Sequence, residues 1–220
     1  MARNLKLWAG FGVVLVATQL QNVPVFAAAG EAGETATVAQ ADNSQGEYIA
    51  ALGLVDAYLH LAEKLPNTNA LSRAERLVAD LLPTLKKHKA TFNLKEGHSA
   101  LLMARGQGED VSAHNMVVAV LSLVQNAKVE FDAPPNVAEF NSLSSTQKAW
   151  GLVQAAKAIT ADITQTERDE HKGPLAEIDA ALASTDPVWP DLKRDQPPKA
   201  DPSLLAAAAA KIEFALAAIK

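Results

Sequence analysis

Apolar residues recur along the chain at intervals of three and four, and the most apolar run after the N-terminal segment lies near its middle. Residues 116–124, MVVAVLSLV, include Ser122 as their single polar residue. A helix through them is apolar on nearly every side, so neighbouring elements must cover most of its circumference. The pattern therefore predicts a central apolar helix over residues 110–131, with other helices packed around it.

Further helices are predicted on both sides of this run, because the apolar positions of each segment fall on one helical face. Alanine supplies much of the 49% hydrophobic content while aromatic residues make up 5%, which favours closely packed helices over a sheet. The predicted fold class is an all-α helical bundle of about five to seven helices. The predicted helices span residues 46–64, 69–89, 94–105, 110–131, 145–171, 174–183 and 203–220.

Proline-rich and small polar stretches divide the chain. Residues 186–202 contain five prolines and cannot form regular helix or sheet, so they predict an extended strap before the last helix. Residues 30–45 are small, polar and aperiodic, which is typical of a flexible N-terminal tail. The remaining region, 46–220, is predicted to be a single helical domain that includes the strap.

The first 29 residues have the pattern of a signal peptide. Arg3 and Lys6 precede an apolar segment, residues 7–18, and small residues follow at Ala27 and Ala29. The apolar segment is shorter than the roughly 20 residues that span a bilayer, which favours a cleaved leader over a retained anchor. We therefore expect bacterial-type export to the periplasm or the medium, with no stable membrane span after cleavage.

Composition excludes several kinds of chemistry. The chain contains no cysteine, which excludes disulfides, thiolate nucleophiles, zinc–thiolate sites and cysteine-ligated iron–sulfur clusters. Its net charge of −5 and its lack of a concentrated basic patch argue against a nucleic acid partner. The chain also lacks a nucleophile elbow, a phosphate-binding glycine loop and a His-Glu-x-x-His motif, so the sequence leans away from an enzyme.

Two sets of side chains are candidate metal or haem ligands. The first set combines His98 and Met103, on the predicted helix before the central one, with His114 and Met116 at the start of the central helix. Histidine and methionine ligate haem and copper, and helix bundles build such sites from facing helices. His114 and Met116 are two residues apart and point to different helical faces, so they are not a natural chelate, and core packing is the favoured interpretation of Met103 and Met116.

The second set lies on the first predicted helix. Asp56, His60 and Glu63 follow i, i+4, i+7 spacing, which places all three along one edge of the apolar stripe. Carboxylate and imidazole groups on one helix edge are a reasonable metal-binding set. The chain has no Glu-x-x-His element, however, so the preferred interpretation is that they are solvated edge charges joined by a weak ion pair.

Two functional hypotheses follow from these patterns. The leading hypothesis is an exported, non-enzymatic helical-bundle protein that acts through protein–protein interaction, with a partner that the sequence does not identify and with oligomerisation left open. The alternative is a periplasmic carrier or sensor of a transition metal or haem. An enzyme assembled from residues scattered in the sequence stays a third hypothesis.

Overall fold

The computed structural model describes residues 34–88, 90, 93–106, 111–132, 143–189, 192, 201 and 203–219, and for residues 34–44 it describes the backbone alone. Within these residues every regular element is helical, so the predicted all-α fold class is confirmed. The eight α-helices are α1 (Glu34–Lys64), α2 (Ala70–Lys87), α3 (His98–Gly106), α4 (Ala113–Asp132), α5 (Ser145–Ala161), α6 (Gln165–Glu170), α7 (Lys172–Ala183) and α8 (Ser203–Leu216). Two short 3-10 helices, Leu94–Glu96 and Asp186–Val188, complete the described elements.

Three helices, α1, α4 and α5, pack against one another and supply most of the buried core. In α4 every residue from Met116 to Val124 is buried, as an apolar run of this length requires. The three helices share the middle of the bundle, because α1 and α5 also bury a long row of apolar residues against each other.

A glycine allows α1 and α5 to approach closely. A Cβ atom at Gly151 on α5 would lie 2.7 Å from the carbonyl oxygen of Ala57 and 2.7 Å from a methyl carbon of Leu61, both on α1. These distances are shorter than any ordinary van der Waals contact, so the two helix backbones can lie this close only because glycine has no side chain.

The remaining helices cover the outside of this trio. Helices α2 and α3 pack on α1, α7 packs on α5, and α8 packs on both α4 and α7. The last helix therefore docks within its own chain. His114 at the start of α4 also contacts the C-terminal segment, with its Nδ1 3.1 Å from the carbonyl oxygen of Ile219.

Several helix boundaries differ from the predicted ones. Helix α1 begins at Glu34, so residues 34–45 of the predicted flexible tail are helical in the structure. Pro83 lies inside helix α2, which runs through it without a break. In the predicted strap, Trp189 is buried and packs edge-to-face against Phe131, while residues 190–191, 193–200 and 202 lie outside the described range.

The predicted helix 145–171 is two helices. Helix α5 begins with a capping box, in which the Ser144 hydroxyl accepts from the Gln147 amide, and ends at Ala161. Helix α6 then starts after Thr164, and its Glu167 carboxylate accepts the amide N–H of Ala113 at 2.6 Å. Glu167 thereby satisfies one of the free amides at the start of α4, which explains why the polar segment turns back onto the body.

No helix in the described part of the chain is both long and apolar enough to span a bilayer. The predicted leader, residues 1–29, lies outside the described range, so export stays a prediction.

Candidate metal centre

Asp56, His60 and Glu63 lie along one edge of α1, and this edge runs from the core to the surface. Asp56 is 1% exposed, His60 is half-buried, and Glu63 is 67% exposed. The i, i+4, i+7 spacing places the three side chains along one line on the helix. The edge therefore offers one buried carboxylate, one imidazole and one accessible carboxylate.

The N-terminus of α3 brings His98 to this edge. The 3-10 turn Leu94–Glu96 is capped by the Asn93 side chain, which accepts from the amide of Lys95. Gly97 follows with a φ of 60°, a left-handed conformation that favours glycine, and nothing crowds its Cα. This turn reverses the chain immediately before α3, so that the first residue of the helix, His98, faces α1.

The His98 imidazole lies between two carboxylates of α1. Its Nδ1 hydrogen-bonds the Oδ1 atom of Asp56, and its Nε2 lies 3.2 Å from the Oε1 atom of Glu63. Since a buried carboxylate is an acceptor, Nδ1 of His98 carries the proton and donates it. In neutral His98 the lone pair is then on Nε2, the atom that faces Glu63.

His60 completes the group. Its ring centroid lies 4.3 Å from that of His98, with the two planes inclined at 35°. One ligating atom from each of Asp56, His60 and His98 lies within 4.8 Å of the other two. Within the described residues this is the one cluster of three or more histidine and acidic side chains whose ligating atoms come this close.

A buried ion-pair network holds Asp56 from the other side. The Arg105 guanidinium on α3 lies 3.4 Å from Oδ2 of Asp56 and pairs with the carboxylate of Asp162, which follows α5. Arg105 is 4% exposed. Burial raises the pKa of Asp162, and the neighbouring Arg105 charge acts in the opposite direction. The network ties α1, α3 and the end of α5 together directly behind the two histidines.

Two imidazole nitrogens in the group are buried without a hydrogen-bond partner. Neither Nε2 of His60 nor Nε2 of His98 forms a hydrogen bond to any described residue, because the contact between His98 and Glu63 lacks hydrogen-bond geometry. Buried polar atoms are normally paired, so two such atoms in one cluster require an explanation. Burial is the largest effect on His60 and lowers its pKa, which favours the neutral imidazole that ligates metals.

The other predicted ligands lie elsewhere. Met103 is on the exposed side of α3, at 59% exposure, and Met116 is buried in the main core. His114 contacts the carbonyl of Ile219. The structure thus separates His98 from the methionine-containing set and places it with the residues of α1.

Arg105 and Asp162 belong to the site but were not predicted from the sequence. Arg105 lies four residues after the fully buried Leu101 and therefore on the same, inward face of α3. A charged residue at such a position is a recognisable indication of a buried ion pair. Asp162 carried no comparable indication, because its role depends on where α5 ends.

Comparisons with known proteins add no relative: no protein-family model, curated protein or solved structure matches the chain.

Proposed function

We propose that the protein is an exported carrier of a divalent transition metal, which it binds through His60, His98 and Glu63. The observation that carries the proposal is the pair of buried Nε2 atoms on the two histidines, neither of which forms a hydrogen bond to a described residue. A purely structural polar network satisfies its buried groups, whereas here two imidazole nitrogens form no hydrogen bond within the described residues.

One separation within the cluster already fits the geometry of a bound metal ion. Ligand atoms around tetrahedral zinc, at bond lengths near 2.0–2.1 Å, are about 3.3 Å apart. The 3.2 Å separation between Nε2 of His98 and Oε1 of Glu63 is close to that value. The absence of hydrogen-bond geometry is no obstacle here, because two ligands of one cation point at the cation and not at each other.

Asp56 is assigned as the residue that orients His98. Histidines that ligate metals usually donate their other ring N–H to a carboxylate, which fixes the tautomer and the ring plane. Asp56 accepts this hydrogen bond from His98 and is itself held by Arg105. A direct Asp56 ligand would require this hydrogen bond to open, so the orienting role disturbs the observed contacts least.

The donor set indicates the class of metal. Two imidazoles and a carboxylate suit Zn²⁺ and other divalent first-row metals, and the chain has no thiolate for softer ions. Haem does not fit between the histidines. Two histidines that ligate one haem iron approach it from opposite faces of the porphyrin, whereas these two rings are in contact, with centroids 4.3 Å apart and planes inclined at 35°.

Exposure supports reversible binding over a structural role. Three protein ligands leave one coordination position open, whereas structural zinc sites are closed by four. Glu63 is largely exposed, so an ion can enter and leave past it. The apolar core shared by α1, α4 and α5 contains none of the proposed ligands, so we expect the metal-free protein to fold.

Zinc titration by calorimetry, with a competing chelator, tests the proposal. We expect one Zn²⁺ per chain, at least about 100-fold weaker binding for His60→Ala and for His98→Ala, and about 10–100-fold weaker binding for Asp56→Asn. His171→Ala is the matched control, since His171 lies outside the cluster and should bind like the parent. Parent-like affinity in both cluster variants, or equal loss in His171→Ala, would refute the assignment.

The predicted role in protein–protein interaction stays a prediction beside this proposal. A carrier with an open coordination position must hand its ion to another molecule, so the two hypotheses are compatible.

A further inference from the structure

The groove between α7 and α8 has an unusual composition for a solvent-facing surface. This α7–α8 groove is lined by Glu177, Ala180 and Ala181 from α7 and by Ala210, Lys211 and Phe214 from α8. Phe214 is 78% exposed, the largest exposure of any large apolar side chain in the described residues.

Most of this surface is left uncovered by the fold: Ala181 belongs to the buried core, and the other five lining residues are exposed. Helix α8 docks on α4 and α7 through its opposite face, formed by Leu205, Ala208, Ile212 and Ala215, all of which are buried. Phe214 lies two residues after Ile212 and therefore projects away from that face. Exposed positions on amphipathic helices are normally polar, so an exposed phenyl ring beside a groove floored by alanine suggests a contact with another molecule.

The groove combines a depression, a protruding aromatic ring and two side chains of opposite charge. The alanines end at Cβ and leave a depression along α7, and Phe214 protrudes from α8 beside it. Glu177 and Lys211 have opposite charges and lie on opposite walls of the groove. Neither forms an ion pair with another residue in the described part of the chain.

We propose that the α7–α8 groove is the interface of a symmetric homodimer. A two-fold axis running along the groove places α7 of each copy opposite α8 of the other. Glu177 then faces the partner's Lys211, and Phe214 packs onto the partner's α7 alanines, with each contact made twice. A second copy is the occupant because one face supplies the protruding ring, the depression and both charges.

This inference does not depend on the metal site, since neither α7 nor α8 contributes to the cluster on α1 and α3. The dimer and zinc binding can therefore fail separately. Measuring the association in zinc-containing and chelator-containing buffers, and in the His60→Ala variant, keeps the two outcomes distinct.

Sedimentation equilibrium over a concentration series tests the dimer. We expect a monomer–dimer equilibrium whose Kd rises at least about 30-fold in Phe214→Asp, as for loss of a central aromatic anchor. Leu71→Asp on α2 is the matched control, because Leu71 is also exposed but lies on another surface, and its Kd should be unchanged. Circular dichroism establishes that both variants keep their helix content.

A charge exchange gives a second readout that misfolding cannot imitate. Glu177→Lys and Lys211→Glu should each weaken the dimer, since like charges then face each other, and combining the two should restore it. A monomer at every concentration would overturn the proposal. A dimer that Phe214→Asp leaves unchanged would overturn it equally.

Discussion

Replacing Gly151 with alanine tests the contact that positions α1, the helix that carries Asp56 and His60. The new methyl group would lie 2.7 Å from the carbonyl oxygen of Ala57 and 2.7 and 2.9 Å from two carbons of Leu61. The oxygen belongs to the helix backbone and Leu61 is fully buried, so neither can move without moving α1. The two helices must separate by several tenths of an ångström.

Two opposing contributions set the size of the effect. Overpacking a tight core contact costs about 1–3 kcal/mol, and replacing glycine with alanine inside a helix recovers up to about 1 kcal/mol. We therefore expect Gly151→Ala to lower the free energy of unfolding by about 1–2 kcal/mol. Zinc affinity should also fall, because the displaced segment of α1 includes His60, and metal ligands tolerate shifts of only about 0.5 Å.

Urea unfolding followed by circular dichroism measures the first effect, and calorimetric zinc titration measures the second. Gly106→Ala on α3 is the matched control, because no atom lies within 4 Å of its added Cβ atom. It should be as stable as the parent or more stable by up to about 1 kcal/mol. A Gly151→Ala protein that is at least as stable as the parent would refute the close α1–α5 crossing described above.

Two further predictions concern the helix cap and the tyrosines. Ser144→Ala removes the hydroxyl that accepts a hydrogen bond from the first turn of α5, so we expect the free energy of unfolding in urea to fall by about 1 kcal/mol. Ser184→Ala is the control, because Ser184 is not at an N-cap. An unchanged unfolding midpoint in Ser144→Ala would contradict the cap. Burial raises the pKa of both tyrosines, Tyr48 and Tyr58, from 10.0 to about 12. Because the folded pKa is the higher one, this contribution to stability is complete below pH 10 and is lost as the pH rises towards 12. Tyrosinate absorbance should therefore appear near pH 12 or together with unfolding, and a titration near pH 10 in the folded protein would contradict their burial.

Most of the features that could be predicted from the sequence depend on residue patterns within short segments of the chain. The all-α class follows from residues 116–124 and the alanine-rich amphipathic segments, whose periodicity depends on neighbours within two turns. The alignment of Asp56, His60 and Glu63 follows from helix geometry alone. These features need no knowledge of how distant segments pack.

Packing between distant segments decided what the sequence could not predict. His98 lies 42 residues from its hydrogen-bond partner on α1, and Arg105 lies 57 residues from Asp162. The sequence grouped His98 with its nearest potential ligands, Met103 and the residues of α4, because the packing of α3 onto α1 cannot be read from periodicity. A single buried charge on α3, Arg105, was the available indication of that packing.

The separation of α5 from α6 illustrates a different limit. Thr164 and Glu167 have the spacing of a helix start, with a hydroxyl followed three residues later by a carboxylate. The same residues also continue the helical period of α5, so the sequence supports a continuous helix equally well. The contact between Glu167 and the first turn of α4 favours the break, and that contact exists only in the folded chain.

The central claim is that one divalent ion binds at His60 and His98 on the edge of α1. Anomalous diffraction at the zinc absorption edge, from crystals grown with Zn²⁺, tests it most directly. We predict one strong peak within bonding distance of Nε2 of both histidines, with Glu63 as the third protein ligand and Asp56 still hydrogen-bonded to His98. A strong peak elsewhere with none at this cluster, or none at all at saturating zinc, would contradict it.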